Sequence, residues 1–158
     1  MSDRRPRTVS AFLHNGRGEV LVQLRDSKPG LRFPRCWSTL GGAMEAGESP
    51  EQAMQRELIE EIEICPPLTF WRTFDHRYAY RGQEVEVQVH AFTGLLDIPA
   101  EAVRLHEGER VAWLNAADIE RLPFAFGLDA LFREFFATYD HRNHTGDHLS
   151  SQRRNGTS

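Results

Sequence analysis

The chain has only two cysteines, Cys36 and Cys65, among 158 residues. Two thiols cannot build a disulfide framework, so the fold must rest on a packed core, and a reducing, cytoplasmic setting is expected. No apolar run approaches the length needed to cross a membrane, and the first residues carry no secretory apolar segment. A membrane partner is therefore not expected. Excess positive charge is missing too. The formal net charge is -4 at pH 7, which argues against a nucleic-acid polymer as partner. No internal repeat is visible. What the chain does have is 40% hydrophobic residues, with ten Phe and three Trp. That is enough for one core, in a chain whose length suits one domain.

Periodicity divides the chain into a mixed set of elements. Residues Thr8 to Leu13 and Glu19 to Arg25 read as strands around the turn His14 to Gly18, a hairpin-type signal. Ser27 to Arg35 is a loop carrying Pro and Gly, and Trp37 to Leu40 a short strand. Pro66 and Pro67 enforce a break, followed by strands over Leu68 to Tyr80 and Glu84 to Leu95. In the second of these, Val85, Val87, Val89 and Ala91 alternate with polar residues, so one face is buried. Arg110 to Leu114 is a further strand, Ala116 to Leu122 a short helix, and Leu128 to Tyr139 a closing amphipathic helix. Residues 1–7 read as a flexible leader, 8–139 as the domain, and 140–158 as a disordered tail.

The most informative stretch is Gly42 to Ile64. Ser49 suits an N-cap, Pro50 the first helical position, and Ser49 with Gln52 the capping box. Met54, Leu58 and Ile62 form an apolar stripe, and Ile59 is expected to widen it. Glu57, Glu60 and Glu61 stand at i, i+3 and i+4 and share an arc of about 100°. Like charges this close repel. A shared divalent cation explains why they are kept together.

With five residues between Gly42 and Glu48, and seven between Glu48 and Arg56-Glu57, the stretch resembles the Nudix box. That pattern continues with an aliphatic residue, one residue, Glu-Glu, one residue and Gly-aliphatic. Leu58, Glu60, Glu61 and Ile64 match it, and Glu63 stands where the family usually has glycine. Glu63 would either cost up to about 1 kcal/mol relative to glycine in a left-handed helix exit or change that exit.

The resemblance implies an α/β fold, the Nudix-type α/β/α sandwich with a mixed β-sheet. It also implies hydrolysis of a nucleoside diphosphate linked to another group, with Mg²⁺ or Mn²⁺ as cofactor. Glu57, Glu60 and Glu61 would be the main metal ligands, with the Gly42 carbonyl adding one. Arg56 would pair with the box carboxylates, and Glu48 would support or join the metal site. By likeness to the MutT branch, Glu107 is a further ligand, with Glu109 as its competitor, and Arg25 contacts the nucleotide. That branch's base-reading asparagine is replaced by Phe126, and its Phe-Pro before the paired glycines by Thr39-Leu40. Phe126 and Trp37 would then meet the substrate by stacking. The implied partner is a small nucleotide-type substrate, with a homodimer as the common family assembly. The competing expectation is a silent nucleotide-sensing module on the same fold. A silent module would be expected to lose one of the three helix glutamates, and all three are present.

Overall fold

The structure is a computed structural model and describes residues 5–139, so the expectations for 1–4 and 140–158 lie outside the described residues. Its centre is one seven-stranded mixed sheet. Strand β1 (Arg7–His14) pairs in parallel with β6 (Gln83–Leu95) and antiparallel with β2 (Val20–Leu24) and β4 (Leu40–Ala43). Strand β2 also holds β3 (Trp37–Ser38) and β7 (Arg110–Leu114), while β5 (Leu68–Tyr80) forms a long hairpin with β6.

Strand alternation sends side chains to two cores. Val9, Ala11, Leu13 and Leu21 enter one core together with Leu40 and Phe92. Phe12, Val20, Val22, Leu24, Val87, Val89 and Ala91 enter the other. Because both faces are covered, β2 is buried at every position. Helix α1 (Pro50–Ile62) closes the first core with Ala53, Met54, Leu58 and Ile62. Helices α2 (Ala116–Arg121) and α3 (residues 129–139) cover the second. There Phe132 and Phe135 lie 5.1 and 5.4 Å from the Phe12 ring. The result is the expected α/β/α sandwich. Among the described residues, no helix is long and apolar enough to cross a membrane.

Local chemistry sets the ends of α1 as the sequence implies. The Ser49 hydroxyl accepts the Gln52 N–H at 3.1 Å, and the Gln52 side chain accepts the Ser49 N–H at 2.9 Å. Glu63 does take the left-handed exit, at φ 60° and ψ 10°, and its N–H donates to the Ile59 carbonyl.

Three expectations are corrected. Ile59 is 52% exposed, because the buried arc turns from Leu58 toward Glu61 and Ala53 instead. Arg5 to Arg7 are not a loose leader: Arg5 pairs with Asp75 at 2.6 Å, the Pro6 carbonyl accepts the Gln88 N–H, and Arg7 opens β1. The sheet also does not stop at Leu40. It continues through the paired glycines, where Gly41 has φ +144° and a Cβ would lie 2.0 Å from the Val9 carbonyl oxygen.

Candidate active site

The carboxylates of α1 are gathered first by one guanidinium. Arg56 donates to both oxygens of Glu48, at 2.6 and 2.9 Å. It also reaches Glu57 at 3.1 Å, Glu60 at 3.3 Å and the Ala43 carbonyl at 3.1 Å. Glu48 accepts the Glu45 N–H as well, at 2.7 Å. Its fork-like bond from Arg56, followed by that backbone N–H, holds the Glu48 carboxyl down at about 2. The Arg56 guanidinium is raised in turn, mainly by Glu48.

Glu61 is different. It is 0% exposed, on the flank of α1 that faces β4. One carboxyl oxygen accepts the Gly41 N–H at 3.0 Å, and the other is buried with no hydrogen-bond partner. Burial above all, then the neighbouring Glu57 carboxylate, push this carboxyl up to about 9. Gly42 sits against Glu57, where a Cβ would come within 2.7 Å of a carboxylate oxygen. Backbone and carboxylates are therefore in direct apposition.

Among the described residues, no three acidic, thiol or imidazole groups are gathered as a ready-made cation cage. The donor set nevertheless suits a hard divalent ion. It consists of carboxylate oxygens beside a glycine backbone, and one of those oxygens is buried and unsatisfied.

The turn of residues 105–109 closes over this region. The His106 N–H donates to the Glu61 carbonyl at 2.8 Å, and the Glu109 N–H to the Leu24 carbonyl at 2.9 Å. Glu107 faces the cavity, near enough for its charge to help raise Glu61. Glu109 instead pairs with Arg35 at 3.0 Å, which separates the two acids the sequence left in competition. Two holders of this turn escaped the sequence reading. The buried Gln23 amide donates to the Glu107 carbonyl, and Asp26 accepts the Gly108 N–H at 3.3 Å. A polar residue inside an otherwise apolar strand was the available signal for Gln23.

A cavity of about 610 Å³ is lined by Gly41, Gly42 and Glu107 together with Arg25, Arg32, Tyr78 and Phe126. Arg25 and Phe126 thus meet, with the guanidinium 4.8 Å from the ring centre. Burial and then the neighbouring charge of Arg32 lower the Arg25 guanidinium from its ordinary value. Phe126 adopts φ 54° in a tight turn whose carbonyl accepts a bond from His76 at 2.8 Å. Trp37 is not brought to this cavity. Pairing of β3 with β2, and the bond from its N–H to the Pro123 carbonyl, turn the indole into the core at 5% exposure. Arg32, His76 and Tyr78 line the cavity without having been singled out as site residues.

The arrangement of box, sheet and cavity has counterparts among known proteins. The NUDIX domain model matches residues 4–135. An octanoyltransferase from Myxococcus xanthus is 37% identical over 127 residues, covering 75% of this chain but 33% of that protein, so the chain spans a third of its length. An RNA pyrophosphohydrolase from Gluconacetobacter diazotrophicus is 30% identical over 150 residues, covering 82% of this chain and 90% of that one. A MutT structure, from work on the Aliivibrio salmonicida and Vibrio cholerae proteins, is 26% identical with a TM-score of 0.62. It matches 85% of this chain and 99% of its own. The domain match covers the glutamate helix, the paired glycines and all seven strands, and on that ground the chain belongs to the Nudix hydrolase family.

Proposed function

We propose that this protein is a Mg²⁺-dependent pyrophosphohydrolase, able to use Mn²⁺, that cleaves the diphosphate of a nucleoside diphosphate linked to another group. The observation that carries this reading is Glu61, a fully buried carboxyl with one oxygen on the Gly41 N–H, and Gly41 lines a cavity of about 610 Å³. Similarity to an RNA pyrophosphohydrolase along most of both chains supports the reaction class.

Glu57, Glu60 and Glu61 would hold the cation with the Gly42 carbonyl, and Glu107 would add a ligand from the facing turn. The bound ion supplies charge neutralisation at the diphosphate and acidifies water. The chain's own groups do the positioning. Arg56 keeps Glu48, Glu57 and Glu60 turned toward one another. Glu61 gives up the proton that its burial retains. Arg25 attracts phosphate, and Phe126 offers a ring face to the base. A cytoplasmic homodimer completes the reading, and light scattering checks its assembly.

The test is a phosphate-release screen over nucleoside triphosphates, oxidised nucleotides, nucleotide sugars and dinucleoside polyphosphates, with Mg²⁺ and with Mn²⁺. Cation-dependent turnover of at least one class is expected. Tight nucleotide binding with no turnover of any class would make the protein a sensor and overturn the proposal.

A further inference from the structure

Glu63 occupies a backbone position that favours glycine. Its φ of 60° and ψ of 10° lie in the left-handed region, where a side chain is costly. What its carboxylate touches gives the residue a purpose. One carboxylate oxygen lies 3.0 Å from Nε2 of His106, in the turn of residues 105–109. An ionised carboxylate only accepts, so Nε2 carries the hydrogen whichever charge the ring bears.

The same histidine makes a second bond to the helix. Its backbone N–H donates to the Glu61 carbonyl at 2.8 Å. Glu61 belongs to the last turn of α1, where carbonyls find no donor inside the helix, and that turn has no basic residue of its own. His106 therefore brings two donors from a distant turn, one to the main chain and one to the side chain of the exit residue.

The other side of the turn is fastened to β2. The Glu109 N–H donates to the Leu24 carbonyl at 2.9 Å, and the Gln23 amide donates to the Glu107 carbonyl. Gly108 lies so close to β2 that a Cβ would stand 2.7 Å from the Leu24 carbonyl oxygen. Glu107 is thus carried between two holds, one on β2 and one on α1, and its charge acts on Glu61. The side-chain part of the α1 hold is half-exposed, at 54% for His106 and 47% for Glu63. A contact this exposed adds little to global stability. Its effect is on the direction in which the turn presents Glu107.

We propose that Glu63 and His106 are positioning residues: their side chains clasp the 105–109 turn to the C-terminal end of α1 and set where Glu107 stands relative to Glu61. The proposal rests on the hydrolase reading above, which gives Glu107 to the cation.

The test uses the full chain and two readouts that need no turnover. One is amide hydrogen exchange of residues 105–109 in metal-free protein. The other is affinity for Mn²⁺ alone, read by electron paramagnetic resonance from the signal of the free ion. Glu63→Gly and His106→Ala should each speed exchange across the turn by about fivefold or more. Each should weaken Mn²⁺ binding by about tenfold, as removing a residue that orients a ligand does. The double variant should lose no more than either alone. Glu63→Gln keeps an acceptor for the His106 N–H and should restore most of both properties. Because glycine relieves the left-handed strain, the Tm of Glu63→Gly should rise or stay within about 3 °C of the unaltered protein. Weaker ion binding at undiminished stability separates positioning from a merely structural contact.

Unchanged exchange in both single variants would overturn the clasp, and so would additive losses in the double variant. Glu107→Gln separates the clasp from the reading beneath it. If that variant binds Mn²⁺ normally while the clasp variants still speed exchange, the clasp stands and the ligand role of Glu107 falls. If it binds Mn²⁺ weakly while the clasp variants bind the ion normally, the ligand stands and the clasp falls.

Discussion

The helix carboxylates and the arginines over Phe126 treat charge in opposite ways. Around the helix, Arg56 answers Glu48, Glu57 and Glu60 at once, while Glu61 lies out of its reach, buried, with its carboxyl pushed up to about 9. Around Phe126, two guanidiniums stand over one aromatic ring with no carboxylate at ion-pair distance among the described residues, Glu107 and Asp26 acting on Arg25 only from farther off. The first group is only partly answered from within the protein, one guanidinium against three carboxylates, so an incoming ion has to compete with that guanidinium for them. The second leaves its charge for a ligand to neutralise. Charge that a fold answers internally organises a site, whereas charge that it leaves open selects what enters.

The largest expected effect breaks the carboxylate group at its buried member. Glu61→Gln keeps an acceptor for the Gly41 N–H but removes the ionisable oxygen, so turnover should fall by about a thousandfold, with circular dichroism unchanged. Glu60→Gln, at the exposed edge of the same cluster, should also lower turnover by about a hundredfold or more. Near-normal rates in both variants would remove the cation from this helix.

A smaller effect separates the two groups directly. Arg56→Ala deprives three carboxylates of their common donor and should raise the Mg²⁺ concentration needed for half-maximal turnover by about ten- to a hundredfold. Arg32→Ala should leave that concentration within about twofold while weakening nucleotide binding. Equal shifts in both variants would mean that the groups are not independent.

A separate effect is on stability. In the metal-free fold the Glu61 carboxyl titrates near 9, against an ordinary value of 4.5. Between these values the folded chain binds more protons than the unfolded one, so unfolding becomes easier as pH rises through that window. The Tm of metal-free protein should therefore decline from pH 6 to pH 9. Glu61→Gln should flatten the decline, and saturating Mg²⁺ should reduce it. Glu48, held down at about 2, contributes stability that is lost only as pH falls below 4.5, outside this window. A Tm that climbs over pH 6 to 9 would contradict the burial assigned to Glu61.

Legibility differed between the site's halves for a physical reason. The box is local: capping, apolar stripe and glutamate spacing all belong to one helical repeat, so their order in the chain is their order in space. The helices and strands were readable on the same ground, since alternation in β6 and the proline break before β5 act over a few residues. Ile59 misled because a three-residue stripe does not say which flank is widened, and here Glu61 took it. Trp37 misled because an aromatic beside the box suits a binding surface and a core equally, and strand pairing chose the core. Gln23 and Asp26 could not be assigned as holders of Glu107, because their partners lie more than eighty residues away.

The amino-acid order alone determined the glutamate helix, its N-terminal cap and the family to which the chain belongs, because each depends on neighbours within a turn or two of backbone. Only the tertiary structure decided that Glu61 is buried beside Gly41, that Glu107 rather than Glu109 faces it, and that Arg25 and Arg32 share one aromatic ring. Those outcomes depend on which strands lie side by side and on how much water their packing excludes, and spacing along a chain encodes neither directly.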